Sequence, residues 1–364
     1  MRITIVVPFV NLTGGVRLLL DYANWLHGEG HLVTVVYPLW PYRYHFRRRD
    51  QLSEFRRQLR SRVRVEWFDL RCPLVRVPFI ASAFLPRADV VLATSWPVVL
   101  DVARLAPSRG RKVHILFHHE SGTGPEDRIC ATYGLPFHRI SFSRSVQALL
   151  AERFGCEIHD VVPAGVDVTR FFPDSERAER TVLMLYHDDP RKGADDGIDA
   201  LTRLRDRIPG LCVQVCGTVR HGSLPEWMPF TLHPPDADLR RLYSTATVFL
   251  YPSRYEGFGL PPLEAMACGC PVVTTDVGAV TEFAVDGCNA LVVAPSDVHG
   301  MTGAMEKLLA DPTLRARLSS RGLDTVRRYA LARTAPLFSK ALARAAFLWT
   351  TVATLTQYAA LRYA

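Results

Sequence analysis

Short apolar runs rich in β-branched residues alternate with helical stretches along most of this chain, which restricts it to layered, parallel α/β architecture. In the first half, Ile3–Pro8, Leu32–Tyr37, Val63–Trp67, Asp89–Thr94, Val113–Phe117 and Ile140–Ser143 predict strands, with helices over Val16–His27 and Ser145–Phe154. The second half repeats the scheme. Strands are expected at Thr181–Tyr186, Leu211–Gly217, Thr247–Tyr251, Pro271–Thr274 and Ala290–Val293, and helices at Ala194–Arg207, Ala237–Ser244, Pro262–Cys268 and Asp297–Ala310. Between the halves, Val162–Ser175 (VPAGVDVTRFFPDS) combines Gly, two Pro and polar residues, as a domain crossing does. The expected organisation is therefore α/β, with two units (1–168 and 169–330) facing a central cleft and a helical tail (331–364) packing back on the first.

A chain of 364 residues exceeds what one core ordinarily fills, and 48% hydrophobic content excludes a largely disordered chain. The start, MRITIVVPFVNLTGG, holds one Arg and an apolar run without a small-residue cleavage site; it reads as a first strand rather than a signal peptide. Eight cysteines occur without a Cys-x-x-Cys pair, which excludes zinc fingers and disulfide scaffolds and favours reduced thiols in the cytoplasm.

The net charge of +8 is unevenly placed. The 41–76 segment holds eleven arginines (Arg43, Arg47, Arg48, Arg49, Arg56, Arg57, Arg60, Arg62, Arg64, Arg71 and Arg76) against four acids. Two readings stay open: a solvated face in an Arg-rich chain, or a patch for a polyanion or the anionic inner face of a membrane. Nucleic acid is not expected, because no helix-turn-helix, zinc module or RNP-like strand accompanies the charge. From Ala345 to Leu361 seventeen residues carry no charge, but four Thr and one Gln dilute the run, so an amphipathic helix on the first unit or on a membrane surface is expected over a spanning one.

The most informative string is Ser253–Gly269, SRYEGFGLPPLEAMACG. Glu256 and Glu264 are eight apart, yet Gly257-Phe258-Gly259 and Pro261-Pro262 forbid one continuous helix between them. The chain must run from a strand through a Gly-rich turn into a helix opening at the prolines, with Glu256 in the turn and Glu264 in the first helical turn. The amides of Gly257, Phe258, Gly259 and Leu260 then lie ahead of that helix, suited to an anion or to sugar hydroxyls. Taken singly, either Glu could be an ordinary residue at a helix start.

This string resembles the E-x7-E signature of the retaining family 4 glycosyltransferases of GT-B fold, whose two Rossmann-like domains face a cleft. The likeness continues through PVVTTDVGAVTEFAVDGCNALVV and covers most of the second half. In the first half, GGVRLLLDYANWLHGEGHLVTVV resembles the family's glycine loop and first helix. The spacing in NLTGGVR is not the G-x-G-x-x-G of a dehydrogenase.

The resemblance implies a donor site for a nucleotide diphosphate sugar. Glu264 would hold the ribose hydroxyls, and Glu256 with the amides of Gly257–Leu260 would hold the sugar. Gly14 and Gly15 would admit the diphosphate to backbone N–H groups, and Lys192 in DDPRKG would be the phosphate lysine. Gly217, closing a strand, joins the donor-binding set. His118, with His119 as its rival, would lie beside the reacting sugar. One departure stands out: the family's usual Arg five residues before the lysine is His187 here. Either the anion holds His187 protonated, or Arg191 or Arg254 supplies the charge.

Asp236-Ala-Asp238 spells the D-x-D of metal-using transferases, but it precedes the LRRLYSTA helix, where Asp commonly caps. No metal or other cofactor is expected. The function implied is retaining, metal-independent hexosyl transfer from a nucleotide sugar to a hydroxyl of a saccharide or lipid-linked saccharide, in polysaccharide or glycoconjugate assembly. Two alternatives belong to other classes: a catalytically silent sugar-nucleotide-binding subunit, and a polyanion- or membrane-binding protein acting through the arginines.

Overall fold

The computed structural model describes residues 1–42, 48–219 and 224–362, with side chains described for 1–42, 51–219 and 224–347. The chain divides into two compact units, Met1–Pro163 with Thr334–Ala364, and Ala164–Arg333.

The first unit runs β1 (Arg2–Val6), α1 (Gly14–Gly28), β2 (Leu32–Pro38), α2 (Arg48–Arg60), β3 (Leu74–Val77), β4 (Val90–Thr94), α3 (Trp96–Ala103), β5 (Arg111–Leu116), α4 (Glu126–Tyr133), β6 (His138–Ser141), α5 (Arg144–Phe154) and β7 (Asp160–Val161). Its sheet has the order β3-β2-β1-β4-β5-β6-β7 with parallel pairing throughout. Helices on both faces bury the central strands, β4 throughout and β1 from Ile3 onward, so both are dominated by apolar residues. Thr13 caps α1 by accepting the Val16 amide at 3.3 Å, and Ser143 caps α5 by accepting that of Val146 at 3.1 Å.

The second unit runs β8 (Thr181–Tyr186), α6 (Ala194–Arg207), β9 (Cys212–Gly217), β10 (Phe230–Leu232), α7 (Asp236–Thr245), β11 (Val248–Tyr251), α8 (Leu260–Ala267), β12 (Val272–Thr275), β13 (Leu291–Val293), α9 (Val298–Ala310) and α10 (Pro312–Arg328). Its parallel sheet has the order β10-β9-β8-β11-β12-β13. Val182, Met184, Leu201, Val215, Leu250, Met301 and Leu308 lie in one core between this sheet and its helices.

The final helix, α11 (Leu331–Arg362), joins the first unit from Thr334 onward. Ala335, Phe338, Ala341, Leu342 and Ala345 form its buried stripe at helical spacing. Phe338 stacks on Tyr22 with ring centroids 4.6 Å apart, and Arg344 pairs with Asp160. The remainder of the uncharged run, beyond Phe347, lies outside the described side chains. Among the described residues no helix is long and apolar enough to cross a membrane.

Three expectations change. The division falls at Pro163/Ala164, not after residue 168, because Val166 bridges to Ala330 and Phe171 buries its ring against Tyr243, both in the second unit. Val63–Trp67 is not a strand: Val63 is exposed and the Trp67 indole N–H donates to the Val10 carbonyl at 2.9 Å, while Leu74–Val77 takes the edge position beside β2. Helix α8 begins at Leu260, which puts Glu264 at its fifth residue, two residues deeper than expected.

Candidate donor site in the second unit

In an open parallel sheet, ligands bind outside the carboxyl ends of the strands, where the strand order reverses. In the second unit that point lies between β8 and β11. The segment after β8 carries His187, Arg191 and Lys192, and the segment after β11 carries Ser253 through Leu260. The topology thus gathers on one edge the residues singled out from two distant stretches of sequence.

Glycines make the approach possible. At Gly193 (φ +63°) a Cβ would sit 2.1 Å from the Pro252 carbonyl oxygen, and at Gly278 (φ +51°) 1.9 Å from that of Glu256. Gly217 pairs with Tyr186 at the ends of β9 and β8, where a Cβ would meet the Tyr186 oxygen at 2.4 Å. Gly259 (φ +87°) turns the chain into α8, and Gly257, Phe258 and Gly259 are all buried.

Glu256 is 7% exposed, and its Oε1 accepts from Lys192 Nζ at 2.7 Å, Tyr251 OH at 2.5 Å and Ser253 Oγ at 2.8 Å. Glu264, equally buried, receives the Tyr243 hydroxyl on Oε2 at 3.3 Å. Tyr251, Tyr243 and Ser253 carry no sequence signature of their own; an aromatic at the end of an apolar strand reads as core.

The cations around His187 are already engaged. Arg191 forks onto Asp189 (2.7 and 3.0 Å), with its buried Nη1 lacking a hydrogen-bond partner among the described residues, and Arg254 forks onto Asp196 (2.6 and 2.7 Å). Burial lowers the His187 pKa below its ordinary value, Asp188 raises it and Lys192 lowers it further. Its Nδ1 lies 2.9 Å from the Asp189 amide nitrogen and 3.1 Å from Asp188 Oδ1.

Gly14, Gly15 and His118 belong to the first unit, and lie at the carboxyl edge of its own sheet. A Cβ at Gly15 would sit 3.3 Å from the Phe117 ring, whereas Gly14 has open space. The two histidines separate clearly. His119 is 5% exposed, with Nδ1 2.8 Å from Tyr133 OH and Nε2 2.9 Å from Glu126, so it is an interior residue. His118 is only half-buried, and its Nδ1 donates to the His119 carbonyl at 2.9 Å. Beside them Glu120 accepts the Trp96 amide at 3.1 Å, and burial raises its pKa to about 7.

Asp236 and Asp238 do not cap α7. Pro235 precedes the helix, and both acids sit in its first turn, where they favour the dipole and pair with Arg170 (3.2 Å) and Arg241. Among the described residues no three His, Cys, Asp or Glu side chains are grouped to hold a metal ion.

Comparison with known proteins places this edge in a family. Residues 167–324 match the model described as "Glycosyl transferases group 1". Glycogen synthase of Mycobacterium tuberculosis is 32% identical over 197 residues, 49% of this chain and 47% of that protein. A GDP-mannose-dependent alpha-(1-6)-phosphatidylinositol monomannoside mannosyltransferase of Mycolicibacterium smegmatis is 33% identical over 209 residues, 50% of this chain and 55% of that protein. The chain thus spans about half the length of these relatives. The structure of Anabaena HepE with UDP and glucose superposes with TM-score 0.74 at 15% identity, over 94% of this chain and 100% of that one. The fold is therefore GT-B, built of two Rossmann-like units, and residues 167–324 are similar to the glycosyl transferases group 1 family.

Proposed function

We propose that this protein is a retaining glycosyltransferase that moves a hexosyl group from a nucleotide diphosphate sugar to a hydroxyl of a saccharide or lipid-linked saccharide, in polysaccharide or glycoconjugate assembly. The observation that carries the reading is the meeting of Lys192 and Glu256 at the strand-order reversal, with Glu264 on the helix that follows.

Lys192 and the amides of Gly257–Leu260 would meet the diphosphate as its charge grows, and Glu264 would take the ribose hydroxyls. Glu256 would hold the transferred sugar. Attack would come from the face the diphosphate leaves, a phosphate oxygen taking the acceptor's proton. Lys192 and the amides supply the positive charge in this scheme, and Asp236 and Asp238 are committed to arginines, so no metal has a part in it. The intact Lys192, Glu256 and Glu264 set speaks against a silent binding subunit. A thermal-shift panel of UDP- and GDP-sugars tests the reading, since a bound donor raises stability by mass action. A shift with none of them would count against it.

A second reading concerns location. The eight cysteines are free thiols, as in a reducing compartment. Helix α2 exposes Leu52 (46%) and Leu59 (53%) on the stripe that carries exposed Arg56 and Arg60. Apolar anchors flanked by guanidinium groups suit the anionic cytoplasmic leaflet. The side chains of Arg43, Arg47, Arg48 and Arg49 lie outside the described residues. Co-sedimentation with phosphatidylglycerol vesicles should fall when Arg56, Arg57 and Arg60 are changed together to Gln; equal binding would return the cluster to a solvated face.

A further inference from the structure

The two glutamates of the donor site are each held from beneath by a buried tyrosine, and the two tyrosines are tied to each other. Tyr251, at the end of β11, lies parallel to Phe249 with ring centroids 6.0 Å apart and interplanar angle 26°. Tyr243, on α7, meets the same Phe249 edge-on at 5.1 Å and 89°. Tyr243 is 0% and Tyr251 5% exposed. Their hydroxyls end at Glu264 Oε2 (3.3 Å) and Glu256 Oε1 (2.5 Å). Burial and the adjacent glutamates push both phenols well above their ordinary range, so each remains a protonated donor wherever the protein is folded.

At Glu256 the consequence is directional. Among the described residues, every hydrogen bond to this carboxylate falls on Oε1: Lys192, Tyr251 and Ser253. The Ser253 hydroxyl also lies within reach of the Arg191 and Tyr255 carbonyls, but the carboxylate is its shortest and only charged partner. With Oε1 saturated, Oε2 is the oxygen left to receive a ligand hydroxyl.

We propose that Tyr251 and Tyr243 are positioning residues, Tyr251 with Ser253 fixing the oxygen Glu256 offers to the donor sugar and Tyr243 fixing the carboxylate of Glu264 toward the nucleotide. The proposal rests on the nucleotide-sugar reading and adds a division of labour: one tyrosine acts on the transferred group, the other on the nucleoside. A carboxylate that rotates freely loses the entropic advantage of a fixed near-attack geometry. Tyr251 therefore governs turnover and Tyr243 governs donor affinity.

The test uses the full chain carrying Tyr251→Phe or Tyr243→Phe, which keep the rings and remove one hydroxyl. UDP, GDP and their glucose and mannose derivatives are the probes, read by calorimetry and by donor hydrolysis. Tyr243→Phe should weaken nucleoside diphosphate and donor binding alike, about fivefold to tenfold, raising KM while kcat holds. Tyr251→Phe should leave nucleoside diphosphate affinity unchanged and lower kcat about tenfold. Ser253→Ala, which loses a second donor to the same oxygen, should follow Tyr251→Phe and serves if that variant does not fold. A purely structural role would lower Tm and leave both constants intact per folded molecule. Wild-type protein that binds and turns over a donor, with variants kinetically like it, overturns this proposal alone. Wild-type protein that binds none of the probes overturns the underlying reading and this proposal with it.

Discussion

Lys192 Nζ lies 2.7 Å from Glu256 Oε1, so the ammonium expected to meet a phosphate and the carboxylate expected to meet a sugar neutralise each other. The Lys192 side chain is 30% exposed and that of Glu256 7%, so the ammonium is the solvated end of the pair.

Lys192→Met should weaken donor binding by about 1.5–3 kcal/mol, the range for hydrogen bonds to charged groups. It should also destabilise the fold by leaving Glu256 short of its counter-charge. Combining it with Glu256→Gln should recover stability but not affinity, a non-additivity that a double-mutant cycle measures. Full donor affinity in Lys192→Met would separate the lysine from the phosphate site.

A diphosphate beside His187 should make donor affinity depend on pH. Its free-state pKa is lowered below 6.5, chiefly by burial, while a diphosphate alongside would favour the imidazolium and raise the bound value. By linkage its contribution to affinity is full below the free pKa and is lost as pH rises through the bound one. His187→Arg should flatten that decline, because a guanidinium stays charged. Donor dissociation constants measured from acid to mildly alkaline pH check this. Parallel curves would mean that His187 acts, if at all, as a neutral Nε2–H donor.

His114 makes stability depend on pH in the opposite sense to Glu120. It lies 1% exposed on β5 with Nδ1 unpartnered, and burial followed by the charge of Arg139 lowers its pKa to about 3. The folded pKa is depressed, so its share of stability is present above the unfolded value of 6.5 and is lost as pH falls, by about 1.4 kcal/mol per unit at most. Glu120, raised from 4.5 to about 7, costs stability as pH rises through that window. The clean readout is therefore a difference: His114→Phe should unfold less readily than wild type at pH 5 and similarly at pH 8, by denaturant titration. An unchanged difference across pH would mean that His114 takes up its proton alike in the folded and unfolded chain.

Transfer should survive EDTA. Asp236 and Asp238 are held by Arg170 and Arg241 at the start of α7, and in the proposed scheme Lys192 with the amides of Gly257–Leu260 would carry the positive charge. Activity abolished by chelation and restored by Mg²⁺ or Mn²⁺ would contradict the scheme.

Much of the second unit was legible because its inner strands are buried on both faces and so appear as unbroken apolar runs; Thr181–Tyr186 is the same in sequence and structure. Val63–Trp67 misled because its alternation of apolar and polar residues, the usual sign of an edge strand, is satisfied there by a loop packed through Val65 and Trp67. The true edge strand, LVRV, is too short and too exposed to stand out. At the site, Gly and Pro punctuation made the Glu256 turn and the Glu264 helix readable. The burial of His119 was not, because it depends on Tyr133 and Glu126, contacts that exist only once α4 packs. Tyr243 and Tyr251 were hidden for a similar reason: a core aromatic and a hydrogen-bond donor have the same letter.

The central claim is that Glu264 belongs to a nucleotide-sugar site, and calorimetric titration of wild type and Glu264→Ala with the UDP- or GDP-sugar that stabilises the protein tests it most directly. The account predicts saturable binding by wild type and a loss of about 1.5–3 kcal/mol in the variant, with its unfolding transition retained. Equal affinity in a folded Glu264→Ala protein would contradict it.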